Sequence, residues 1–421
     1  MIRAEALLAL LLVGCAAAPA SIAPPSPTSS PTSRPSPAVI PTPTPTVSSE
    51  PSFDPEPTPD DSTFVSPTRR PADPLPSPWS GRVVVASATC QSVAAVIDGA
   101  GGNHVAAGCQ AADRRILYTE QVNTTWRTTT FSPPAGREEL GPQLAVHGDV
   151  LYLAFTRIRV EEGGCGDQGL RDVGVYVRTR TLPSGAWSEA AQIGEPADHL
   201  QSFRVVGGTF HATVLNAADG LSYYETVSNG SATRYKIPQV VGEVALRVGD
   251  DGKARIAYEA EGALWYGVFE GAGFRIAKIP ETTAAYGPVL VLGAGDRPYL
   301  TYHRGFSGRG GCAEPSPPPY AGTYFGTQLG GSWQSERLTT GQGETSLTID
   351  VASGAVHALI NDTDGLVYVG KASGGQWKRQ ILDNYQSGVA VIRRDPRSGE
   401  LLVVYLGSHA DQAQILVIER R

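Results

Sequence analysis

No run of the chain reaches the ~18 apolar residues that a membrane-spanning helix needs, which excludes an integral helical membrane protein. Positive charge is also scarce: 34 Lys plus Arg stand against 41 Asp plus Glu, a net charge of −7. Without a basic face to replace phosphate counterions, nucleic acid is not expected as a partner. Cysteine is sparse, five in 421 residues, and no Cys or His spacing matches a zinc motif, so neither a metal nor a cofactor is expected. A Gly-rich phosphate loop, a Gly-x-Ser-x-Gly elbow and a His-Glu-x-x-His helix are all missing. Two residue types are plentiful instead. Gly and Pro together fill 81 of 421 positions, well above average usage.

The prolines are concentrated near the front. Arg3 supplies a thin positive region, and Ala6 to Val13 form an apolar run of secretory length. Leu12-Val13-Gly14-Cys15 resembles the lipobox of bacterial lipoproteins. That resemblance implies a signal peptide over residues 1–14, lipidation of Cys15 and a membrane anchor made of two or three acyl chains, since one chain alone binds marginally. Residues 16–78 hold 19 of the 33 prolines, with many Ser and Thr. So little apolar surface cannot offset the entropy of ordering. Residues 15–78 therefore read as a disordered tether, which at ~3.1 Å per residue in polyproline II reaches on the order of 190 Å. The expected location is the bacterial cell envelope, membrane-anchored and extracytoplasmic.

From Trp79 onward one pattern recurs: an apolar strand, a Gly turn, a second strand, a gap, an alternating third strand, then a Gly-x-Trp turn into a fourth. The second strands start at His104, Tyr152, His211, Arg255, Tyr299, His357 and Leu402. Short strands at this spacing, four to a unit, mark propeller blades, and stacked blades bury faces that no single blade can bury. Residues 79–421 thus read as an all-β, seven-bladed β-propeller. The seventh unit has only three strands of its own. Trp79-Ser-Gly-Arg-Val-Val-Val85 has the same Trp-then-strand form as Trp377 to Leu382, so residues 79–88 are expected to complete the last blade and close the ring. Closure removes exposed sheet edges.

The pattern resembles the BNR-like, sialidase-type propellers of secreted bacterial proteins. Only the Gly-x-Trp turn of the sialidase Asp-box is present, and Ser184-Gly-Ala-Trp187 carries no Asp. Phe203-Arg-Val-Val206 is similar to the sialidase arginine motif but lies in the third unit, with Val206 in place of its Pro. No catalytic residue carries over. The repeated His104, His211 and His357 read as packing or turn-bonding residues, and Asp250-Asp-Gly252 and Asn361-Asp-Thr-Asp-Gly365 read as hairpin turns rather than calcium loops.

Two units carry related insertions, 158–173 and 305–322. The first reads Gly141-Pro142, Arg157, Cys165, Asp167, and the second Gly287-Pro288, Arg304, Cys312, Glu314. Both join second to third strands, so both emerge on the face where blades connect, roughly 150° apart around a seven-membered ring. An extracytoplasmic compartment permits disulfides, and the expected pairing is Cys90–Cys109 with Cys165–Cys312, one of three connectivities. The insertion face gathers the candidate ligand-binding residues: Arg157, Asp167, Arg171, His199, Tyr286, His303, Arg304, Glu314, Tyr320 and Tyr385. Arginine forks recognise carboxylates and exposed aromatics stack on sugars or peptides. The alternative for Arg157 and Arg304 is pairing with Asp167 and Glu314 within each loop. The expected role is a monomeric, non-catalytic binding platform for a glycan, peptide or protein. The alternatives are a sialidase-like glycoside hydrolase with a diverged site, and a structural scaffold in a cell-envelope assembly.

Overall fold

The structure is a computed structural model that describes residues 74–109, 115–159, 174–228, 230–305, 318–384, 389–409 and 412–420. All of these fall in the second of the two units into which the chain divides, 66–421. Cys15, Cys165, Cys312, Asp167, Arg171, Glu314 and Tyr385 lie outside the described residues, as does most of each insertion.

Seven four-stranded antiparallel sheets follow one another along the chain. Their first strands are Cys90–Ile97, Arg137–His147, Asp198–Val206, Val241–Val248, Ala285–Leu292, Thr345–Ile349 and Ala390–Arg394. Each first strand lies beside that of the next blade, and the seventh lies beside the first, so together they form the inner wall of a closed ring around a channel. The fold is a seven-bladed β-propeller. Its last sheet runs Trp79–Ser87, Gln412–Arg420, Leu401–His409, Ala390–Arg394, with Val83 opposite Val417 and Val84 opposite Leu416. The strand missing from the seventh unit therefore does come from the front of the domain.

The core sits between blades rather than within them. Ala94, Tyr118 and Phe131 of blade 1 pack with Leu151, Leu153 and Phe155 of blade 2, and a comparable cluster fills each of the other junctions. The Gly-x-Trp turns explain how successive blades are fastened. Trp187 of blade 2 meets Tyr118 of blade 1 edge-on at 4.9 Å, Phe274 of blade 4 meets Tyr224 of blade 3 at 5.3 Å, and Trp333 of blade 5 meets Tyr266 of blade 4 at 5.5 Å. Trp377 meets Phe325 at 5.1 Å, and Trp79, delivered from the front, meets Tyr368 of blade 6 at 5.0 Å. Three of these tyrosines are hydrogen-bonded through their hydroxyls to His104, His211 and His357 at 2.7, 2.7 and 2.8 Å. The repeated histidines thus hold the ring that receives the next blade's aromatic. The two Asp-rich hairpins are turns: Asp251 accepts from Arg255, and Asp362 accepts from Thr339 at 2.5 Å.

Cys90 opens the first strand of blade 1 and Cys109 ends the second. They stand opposite each other and form a disulfide, the first of the two expected pairs.

Candidate functional site

The insertion face is made by the starts of first and third strands and the ends of second strands. The two insertion-bearing blades share there an arginine, a glycine and a tyrosine at matching register. Arg157 stands opposite Gly174 and Arg304 opposite Gly322, so both insertions leave and re-enter the sheet at the same register. The guanidinium of Arg157 lies 4.1 Å from the ring centroid of Tyr176, and that of Arg304 lies 5.1 Å from Tyr324, its counterpart.

The twins differ in what faces them across the first strand. Arg157 stands opposite Glu139, whose carboxylate is fully buried and accepts from Arg157 Nε at 3.1 Å. Arg178 adds a second cation 3.7 Å from the same carboxylate. The acid that holds Arg157 thus comes from the neighbouring strand, which sequence reasoning missed. Arg304 stands opposite Ala285. No carboxylate among the described residues reaches it, and its buried Nε has no hydrogen-bond partner. It is held instead between Tyr324 and Tyr320, 5.2 Å away, and Tyr320 is 43% exposed. The signal for this difference was present in the sequence: Glu139 and Ala285 each stand two residues before the shared Gly-Pro.

Tyr286 and His303 complete the blade 5 group. They are opposite each other, with ring centroids 5.3 Å apart. Tyr286 donates its hydroxyl proton to Gln342 Oε1 at 3.2 Å, and burial together with the Glu259 charge pushes its phenol up. His303 is buried, sits 3.2 Å from Thr323 Oγ1 and is pushed down to about 4 by burial, so its ring is neutral at physiological pH. Gln342 Nε2 also donates to the Arg304 carbonyl at 2.6 Å, tying the start of blade 6 to this group. The structure therefore brings Tyr286, His303, Arg304 and Tyr320 together in blade 5. Arg157 belongs to blade 2 and His199 to blade 3. Burial holds the His199 imidazole down, opposed by the charge of Asp198.

A second polar cluster was not foreseen. Arg234 forms a fork to Asp198, at 3.0 and 3.1 Å, and reaches Glu225 at 2.8 Å. Asp198 also accepts from the backbone N–H of Glu195 at 2.9 Å, which pins the connection between blades 2 and 3. Burial, then the Asp198 charge, raises the Glu225 carboxyl to about 7. With Asp198 fully buried and Glu225 4% exposed, no substrate reaches these groups, and the cluster is a structural knot.

No protein-family profile matches the sequence, and no curated protein matches it. Among solved structures the chain is similar to Trypanosoma rangeli sialidase in complex with the inhibitor DANA, with a TM-score of 0.49 and 10% identity over 79% of this chain and 55% of that one. It is also similar to a Hadza microbial sialidase, with a TM-score of 0.49 and 10% identity over 80% of this chain and 66% of that one. A protein of unknown function from Dyadobacter fermentans gives a TM-score of 0.47 and 11% identity, over 81% of this chain and 98% of that one. The chain thus spans about 55% of the length of the trypanosomal sialidase.

Proposed function

We propose that this protein is a lipid-tethered, extracytoplasmic binding platform that takes the carboxylate of a glycan or peptide at Arg304. The observation that carries this reading is the contrast between the twins. At the same register, Arg157 has a buried carboxylate opposite and Arg304 has an alanine. A guanidinium with an unpaired buried N–H, flanked by an exposed tyrosine, supplies both the fork for a carboxylate and a surface for a ring to stack on. Arg157, already satisfied, serves to hold blade 2.

The test uses the twin as its template. Ala285→Glu recreates the blade 2 arrangement and supplies Arg304 with an internal acid. In a glycan and peptide array screen, this variant and Arg304→Ala are both expected to lose binding of carboxylate-bearing ligands by about 10-fold or more, the size of a charge-assisted hydrogen bond. Ala285 is 1% exposed in the core shared by blades 4 and 5, so Ala285→Glu is expected to lower the unfolding midpoint, and binding is compared below that midpoint, with Arg304→Ala as the variant that spares the core. Undiminished binding in both variants overturns the reading. A fluorogenic glycoside panel run alongside addresses the hydrolase alternative, and turnover there would replace the non-catalytic assignment.

The tether part of the proposal rests on Leu12-Val13-Gly14-Cys15 and the proline-rich stretch behind it. Cys15→Ser is expected to move the protein from the membrane fraction to the soluble extracytoplasmic fraction. A membrane fraction unchanged by that substitution would refute lipid anchoring.

A further inference from the structure

The inner wall of the ring carries seven equivalent positions, each opposite one of the aligned second-strand residues His104, Tyr152, His211, Arg255, Tyr299, His357 and Leu402: Val96, Ala145, Arg204, Arg247, Val291, Thr348 and Arg393. Three are arginines and none is acidic. The three share one arrangement. Arg204, Arg247 and Arg393 each donate from Nη1 to the carbonyl of the preceding residue, at 2.5, 2.7 and 2.8 Å. Arg393 also donates from Nε to the Ala95 carbonyl on the first strand of blade 1, at 2.8 Å. These bonds use neutral carbonyls. No carboxylate among the described residues pairs with any of the three.

Nearby acids are already engaged. Asp98 is bonded to His104 at 3.1 Å, Asp350 to Arg394 at 3.1 Å and Asp395 to Arg397 at 3.1 Å. The position also differs from the Arg304 group. Arg204 is two residues from the hairpin end of its strand, whereas Arg304 is at the insertion end of its own. Arg204 and Arg393 belong to blades 3 and 7, three steps apart by the shorter way round. Their equivalent register puts both at one level of the inner wall, and the charge of Arg393 acts on Arg204. Burial, and for Arg204 that repulsion as well, disfavours both charges. Arginine does not escape by deprotonation.

The geometry points to an oxyanion site in the hairpin half of the channel, formed by Arg204, Arg247 and Arg393, that takes a phosphate- or sulfate-sized anion. The free Nη2 groups supply the forked donors, and the anion removes the repulsion between cations fixed on separate blades. The site is independent of the binding role assigned to Arg304.

The test follows thermal unfolding of the full chain in phosphate and in chloride at equal ionic strength. Binding to the folded state alone raises the midpoint, here by about 3 °C or more at anion concentrations far above the dissociation constant. The same rise is expected for Arg304→Ala. The double variant Arg204→Gln, Arg393→Gln is expected to show no phosphate response. In chloride it should unfold at or above the wild-type temperature, because two repelling cations are gone. For the wild type alone, phosphorus NMR should show phosphate line broadening that sulfate reverses. A wild-type midpoint indifferent to phosphate, a double variant that responds as fully as wild type, or the absence of reversible broadening would each overturn the site.

Discussion

A chain that starts at residue 89 is expected to lose the whole ring and not merely one strand of it. The strand Trp79–Ser87 contributes to two blade junctions at once. Val85 belongs to the cluster shared by blades 7 and 1, and Trp79 to the one shared by blades 6 and 7. Trp79 donates from Nε1 to Gln380 at 2.9 Å, and Arg82 donates to the Leu382 carbonyl at 2.6 Å beside the buried Asp383. Without this strand the buried run Ile415 to Ile418 becomes an open edge. Exposed hydrophobic edges pair with other chains. The truncated chain is therefore expected to aggregate and to lack a cooperative unfolding transition by circular dichroism. Adding a peptide of residues 74–88 should restore the transition. The milder change Trp79→Ala is expected to cost ~3–5 kcal/mol, as for a buried aromatic cut to alanine. A truncated chain that unfolds at the wild-type midpoint would show that closure is not what holds the ring.

Arg234→Ala is expected to destabilise by ~3–5 kcal/mol, because it leaves two buried carboxylates with their shared cation removed. The same knot gives the fold a pH dependence. The Glu225 carboxyl is raised from its ordinary 4.5 to about 7. A carboxyl raised in the folded state binds its proton more tightly there than in the unfolded chain. Its contribution is thus fully present below about 4.5 and is lost as pH rises through about 7. Chemical denaturation should show wild-type stability falling between pH 5 and pH 8. Glu225→Gln should flatten that fall while keeping the Asp198–Arg234 fork. Equal slopes for the two proteins would mean that Glu225 does not titrate in this window.

The repeat was legible because every blade has the same task. An aromatic after a Gly turn must enter the preceding blade, so Trp187, Trp333, Trp377 and Trp79 recur in register with their strands. Cys90 and Cys109 were legible as a pair for a local reason, since they bracket one hairpin. The insertion-bearing twins were visible as a motif; the Glu139–Ala285 difference stood in the sequence beside the shared Gly-Pro, but its meaning did not, because these residues act on Arg157 and Arg304 across a strand pair and not along the chain. The knot of Asp198, Glu225 and Arg234 spans three strands of one sheet, and no spacing announces it.

Periodicity, turn chemistry and one misplaced Trp-then-strand segment determined from sequence alone that the domain has seven modules and that its front completes its last. Those features are local, and each repeats or visibly fails to. Which cations are neutralised was decided only by tertiary structure. Arg157, Arg234 and Arg255 find acids, whereas Arg204, Arg247, Arg304 and Arg393 find none among the described residues. The reason is that ion pairing depends on a few ångströms between side chains on paired strands and turns, distances set by the register of each sheet and not by composition or spacing.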